Sequence, residues 1–174
     1  MAGVDGMRGG WVVAVVSAAG VLAWHGVADA AAVLAVTAGC AVVGVDIPLG
    51  LPAAGPRPCD LLARGRLGPA RSSVFLAPVR GVLGAADDRV VEVHPELAFR
   101  AMAPGTGFTR KKTPEGAAQR ISALGVSAEV LAARDDALGA LAAAFSARRH
   151  ALGRSEVLGG EPDPVTGGPM RIVV

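Results

Sequence analysis

The residues best placed to do chemistry are carboxylates that fall where a strand should be apolar. Asp5 interrupts the run Ala2 to Gly6, Asp46 closes the run Ala41 to Val45, and Glu92 lies within Arg89 to Val93. Asp135 and Asp136 open the clearest helical segment of the chain. A charge inside an apolar strand is costly unless it is paired or binds a metal. Three such interruptions point to convergence at one edge of a sheet. Several carboxylates held together raise one another's pKa unless a cation neutralises them. Oxygen donors favour Mg²⁺ or Mn²⁺ over zinc. Two such ions, about 3.5–4 Å apart, can activate a water and stabilise the leaving oxygen of a phosphodiester.

Each residue also has a plainer use. Asp5-Gly6 suits a turn, and Asp46 before Ile47-Pro48 can start one. Asp135 and Asp136 suit a helix N-terminus, Glu92 could face solvent on an edge strand, and Pro95 holds His94 extended. The set is more specific than its members. Candidate phosphate partners are Lys111 and Lys112, just ahead of a helix start at Thr113-Pro114, with Arg110 beside them. Arg71 with Ser72 and Ser73, and Arg8 close after Asp5, are similar donors. A solvated basic cluster ahead of a capped helix is the equal alternative. Phe75, Phe99, Phe108 and Phe145 are scattered, so no stacking platform for single strands is visible.

The elements that must position these residues follow from periodicity and punctuation. Ala2 to Gly6, Trp11 to Ser17 and Val21 to Val27 read as three strands of an antiparallel meander with short turns. Asp29 can cap a helix reaching Ala38. The run Ala41 to Val45 reads as a buried parallel strand. Pro48, Pro52, Pro56 and Pro58 make 47–58 a loop. A short helix is predicted over Cys59 to Leu67, then loop over 68–88 with about one helical turn. A fifth strand spans Arg89 to Val93. Helices follow at Pro95 to Met102, Thr113 to Leu124 and Asp135 to about His150. The tail reads as irregular until a terminal strand, Met170 to Val174. With no repeat and no charged linker, the pattern is one α/β domain.

Composition limits the function classes. The 174 residues carry 17 Lys plus Arg against 15 Asp plus Glu, a balance that excludes a nonspecific basic coat for nucleic acid. Apolar content excludes a disordered chain. Cys40 and Cys59 fit no zinc spacing or disulfide framework, which makes a reducing cytoplasm the default. Ala and Gly dominate and Tyr is absent, so the layers must be thin and closely packed. The apolar stretch Trp11 to Trp24 lacks the positive leader of a signal peptide, since Asp5 and Arg8 cancel. No run has the length and composition to span a bilayer, so no membrane partner is expected.

The chain resembles the proteins grouped as domain-of-unknown-function family 429, predicted nucleases with an RNase H-like fold. The resemblance rests on GVDGMRGGWVVAVV at 3–16, VVGVDIPLGLP at 42–52 and RSSVFLAPVR at 71–80. It continues through VVEVHPELAFRAM at 90–102, KKTPEG at 111–116 and DDALGALAAAFSARR at 135–149. It implies a mixed five-stranded sheet, three antiparallel strands then parallel ones, with helices on both faces. Asp5 and Asp46 would be the central metal ligands, Asp136 would reach in from the last helix, and Glu92 or Glu96 would approach from strand five.

Two departures from the family pattern bear on activity. The last helix usually carries a second Asp one turn after the first, and Gly139 stands there. A longer insertion usual between strands four and five is shortened or missing near residues 84–87. The resemblance thus implies a Mg²⁺- or Mn²⁺-dependent nuclease acting on DNA or RNA, with Arg8, Arg71, Lys111 and Lys112 neutralising phosphate. The alternatives are a non-catalytic or degenerate scaffold and a nucleotide- or phosphate-binding domain of the actin and sugar-kinase type. A homodimer is the base-rate oligomer.

Overall fold

Largely apolar runs at the start of the chain, of which the second is rich in valine, form β1 (Ala2–Met7), β2 (Gly10–Val16) and β3 (Leu22–Val27), paired antiparallel in the order they occur. Asp29 then caps α1 (Ala30–Val36), its Oδ1 accepting from the Ala32 N–H at 2.8 Å. The chain crosses to β4 (Val43–Val45), which lies parallel to β1, and later to β5 (Val90–Glu92), parallel to β4. The strand order β3-β2-β1-β4-β5 is an RNase H-like arrangement of the α/β class, as the resemblance implied. The computed structural model describes residues 1–20, 22–74, 76–77, 89–126 and 135–174. Residues 84–87, where the shortened insertion was expected, lie outside the described residues, as do the side chains of Asp135 and Asp136.

Between β4 and β5 come α2 (Pro58–Leu67) and a 3₁₀ turn over Gly68–Ser73. After β5 come α3 (Pro95–Met102), with Pro at its first position, α4 (Pro114–Leu124), and α5 (Asp135–Ala151). The Thr113 hydroxyl caps α4 by accepting from the Gly116 N–H at 3.1 Å. Among the described residues no helix is long and apolar enough to cross a membrane.

Two layers sandwich the sheet. On one face Val33 of α1 packs with Val4, Val13, Val43 and Val45. On the other, α5 lies directly against β1 and β4. A methyl group at Gly3 would come within 1.9 Å of the Ala140 carbonyl oxygen, and one at Gly44 within 2.5 Å of that of Ala143. The abundance of Gly and Ala thus has a structural cause. Side chains are absent where the α5 backbone meets the strands, so the helix is set by near-backbone contact.

The tail corrects the sequence reading. Rather than staying irregular until Met170, it forms a second sheet from β6 (Val157–Pro162) and β7 (Pro169–Val173), paired antiparallel. Two glycines and a proline give β6 poor strand propensity. It forms because Leu158 and Ile172 close a core over Cys59, Ala63 and Leu67 of α2, a tertiary gain that propensity does not register.

Candidate functional site

Asp5 and Asp46 become neighbours through register. Val4 pairs with Val45 across parallel strands, and the Asp46 N–H donates to the Val4 carbonyl at 3.1 Å. The next residue on each strand is an aspartate. Alternation along a strand puts Gly3 with Asp5, and Gly44 with Asp46, on the face that meets α5. The Asp5 carboxylate rests over Gly139 of that helix. A Cβ added at Gly139 would fall 1.7 Å from Asp5 Oδ2. Gly139, where the resemblance implied a second Asp, is here the seat of the first strand's carboxylate.

Glu92 reaches the same end of the sheet but leaves by the opposite face, because it pairs with Val45 and is one residue out of step with Asp46. There it meets Arg57, which is 1% exposed. Arg57 Nη1 donates to Glu92 Oε2 at 2.7 Å and Nη2 to Oε1 at 2.6 Å. Nε and Nη2 also hold Asp60, at 3.1 and 2.5 Å, and Nη1 reaches the Gly50 carbonyl at 2.9 Å. Every donor of the guanidinium is used. Burial works against the charge on Arg57, but the two carboxylates outweigh it and raise its pKa. Burial also pushes the Glu92 carboxyl up, with Arg57 pulling it back. It lifts the neighbouring Cys59 thiol to about 12, which keeps it protonated.

Glu96, in the first turn of α3, is held by a second arginine. Arg120 Nη2 donates to its two oxygens at 2.7 and 2.9 Å, while Nη1 reaches the carbonyls of Thr109 and Gly116. The Arg120 guanidinium lies over the rings of Phe99 and Phe108, at 5.5 and 5.2 Å from their centroids. This fastens α3 to α4 and fixes the turn that carries Lys111 and Lys112.

These parts surround a cavity of about 560 Å³ at the strand ends. Asp5, Asp46, Glu92, Glu96, Lys111, Lys112 and Gly139 all line it. Arg8 and Arg71 are exposed and lie outside the lining. Asp136 lies in the first turn of α5, the helix that carries Gly139. His94, extended before Pro95, has Nε2 3.2 Å from the Ser73 carbonyl, and burial lowers its pKa.

Asp46 lines the cavity with a strongly shifted carboxyl. Burial pushes its carboxyl up to about 6; Lys111 pulls it down and the Glu92 charge pushes it further up. None of the described hydrogen-bond donors serves that carboxylate. Among the described residues no group of three or more acidic, histidine or cysteine side chains could hold a metal ion. Among the described residues the candidate donor set is a pair of aspartates, one seated on Gly139 and one with no described hydrogen-bond donor. That pair fits a hard divalent ion, since Mg²⁺ is commonly held by one or two carboxylates together with water and substrate phosphate.

Sequence reasoning missed Arg57, Asp60 and Arg120. Arg57 stands between two prolines in a loop, and nothing local tells a buried arginine from a solvated one. The available signal was indirect: Glu92 in an apolar strand needs a cation somewhere.

A family model described as "Protein of unknown function (DUF429)" matches the chain over residues 3–88 and 83–164. No curated protein and no solved structure matches it.

Proposed function

The chain belongs to the DUF429 family, and we propose that it is a divalent-metal-dependent nuclease that hydrolyses phosphodiester bonds of DNA or RNA at the Asp5–Asp46 site. The observation that carries this reading is the pair itself: two aspartates side by side at the ends of adjacent parallel strands, facing a lysine-bearing wall across one cavity. Asp5 and Asp46 would hold Mg²⁺ or Mn²⁺. The ion would supply a Lewis acid for the phosphoryl oxygen and make water acidic enough to attack near neutral pH.

The remaining residues bind and orient. Lys111 and Lys112 neutralise the phosphate and position it over the aspartates, a sequence-independent contact suited to a nucleic-acid backbone. Gly139 leaves room for the Asp5 carboxylate to stay on the inner face of β1. Glu92 and Glu96 are each occupied by an arginine and shape the walls of the site rather than reach the phosphate. Arg8 and Arg71, exposed and outside the lining, would meet the nucleic-acid backbone away from the aspartates.

The test is cleavage of labelled single-stranded, duplex, hybrid and branched substrates with Mg²⁺ or Mn²⁺ and with chelator. Asp46→Asn protein purified in the same way serves as the control. Metal-dependent cleavage that falls at least 100-fold in Asp46→Asn is expected, on the scale of losing a group that stabilises charge in the transition state. Equal cleavage by both preparations, or none by either, would sink the proposal.

A further inference from the structure

We infer that Arg57 and Glu92 are positioning residues: together they clamp the loop that carries Asp46 and so set where the metal-binding carboxylate stands. The inference rests on the metal reading of the Asp5–Asp46 pair and goes beyond it by giving Glu92 a role other than ligand.

The loop after β4 has few anchors of its own. It holds Pro48 and Pro52, which cannot donate, and Leu49 is exposed. Its backbone is tied down from outside. The Leu49 N–H donates to Glu92 Oε2 at 3.0 Å, and the Gly50 carbonyl accepts from Arg57 Nη1. The Leu51 N–H donates to Oδ2 of Asp163, a residue 2% exposed in the β6–β7 connection. Three consecutive residues, beginning three after Asp46, are therefore held by side chains from the residue that precedes α2, from β5 and from the tail. Asp60, the second carboxylate on Arg57, extends the same hub by accepting from the Ala77 N–H at 3.1 Å.

Arginine suits this hub and lysine does not. Its planar fork presents five donors in fixed directions, and here they meet two carboxylates and a carbonyl at once. An ammonium has three donors and no plane. Outer partners that orient a ligand usually change metal affinity 10- to 100-fold when removed, without touching the ion.

The experiment compares full-length wild type with Glu92→Gln, Arg57→Lys and Asp163→Asn. Mn²⁺ affinity is measured by calorimetry and amide exchange at Leu49 and Leu51 by NMR on metal-free protein. Unchanged exchange in α5 certifies that a variant is folded. If one variant fails that check, the others carry the test, and Asp163→Asn matters most because Asp163 does not line the cavity. The expected result is a coupled one. Glu92→Gln and Arg57→Lys speed exchange at Leu49 about tenfold, Asp163→Asn does so at Leu51, and each weakens Mn²⁺ binding about tenfold.

Weaker Mn²⁺ binding with Leu49 and Leu51 still protected would overturn the clamp and make Glu92 a ligand or a bare charge. Faster exchange at full Mn²⁺ affinity would also overturn it, since the loop would then not govern the site. Wild type that binds no Mn²⁺ overturns the metal reading and the clamp's role with it. That outcome is distinct from the other two, in which wild type binds.

Discussion

Asp46 and Glu92 stand at the ends of neighbouring parallel strands, both largely withdrawn from water, and their surroundings differ in kind. Glu92 has both oxygens on Arg57 and a backbone N–H besides. Asp46 has no described hydrogen-bond donor on its carboxylate, and burial lifts its pKa to about 6. Burial alone therefore does not mark a functional acid. A buried carboxylate whose lone pairs are taken is part of the frame. One left short of donors must hold a proton or a cation, and in a cavity it is available for chemistry. One residue of register separates the two cases.

The largest effect should come from breaking the occupied side. Arg57→Met leaves Asp60 and Glu92 facing each other without a cation and should cost about 3–5 kcal/mol in urea unfolding. A loss below about 1 kcal/mol would mean that the cluster is not the structural half of the comparison.

Asp46→Asn should move stability the other way. The folded pKa of Asp46, about 6, lies above the ordinary 3.8. Between those values the folded state keeps a proton that the unfolded chain has lost, so stability falls as pH rises through the window. The penalty is complete above about pH 6 and absent below about pH 4. The metal-free variant should therefore be more stable than wild type by roughly 3 kcal/mol at pH 7.5 and equal to it near pH 3.5. Equal stability at both pH values would show Asp46 to be as well served as Glu92.

Gly139→Ala sharpens the Asp5 side. Alanine favours an isolated helix by about 1 kcal/mol, but its methyl would occupy the space of Asp5 Oδ2. The expected result is a folded protein of similar melting temperature whose Mn²⁺ affinity is about tenfold weaker by calorimetry. Unchanged affinity would show that Asp5 does not need its seat.

The smallest effect is expected at the exposed ion pair between Arg66 and Glu156, whose side chains are 54% and 42% exposed. Arg66→Ala should change unfolding free energy by less than about 1 kcal/mol. Set beside Arg57→Met, it separates a solvated arginine–carboxylate pair from a buried one.

Much of this was readable before any coordinates. The meander, the Asp29 and Thr113 caps, Pro95 at a helix start and the parallel run ending in Asp46 all fell within a residue or two of the observed elements. These are short-range matters: β-branched runs, side chains that satisfy N–H groups three residues on, and prolines that set φ. Asp5 and Asp46 were legible as candidates because a carboxylate in an apolar strand needs a reason.

The partners of the acids were not legible. Glu92 and Asp46 look alike as interruptions of valine runs, and only the pairing of Val45 with Glu92 sends their side chains to opposite faces. Gly139 was legible as the absence of a second Asp, whereas its contact with the Asp5 carboxylate follows only from the approach of α5 to β1. Strand β6, with its glycines, was visible only through the core it covers.

The sequence by itself determined which elements form and which acids they carry, because propensity, capping and alternation act within a few residues. Tertiary structure decided which acid is bound to an arginine and which stands in the cavity without a described hydrogen-bond donor. Arg57 lies 35 residues from Glu92, and Asp163 lies 112 from Leu51. Burial at such separations is set by register and layer packing, which no local pattern encodes.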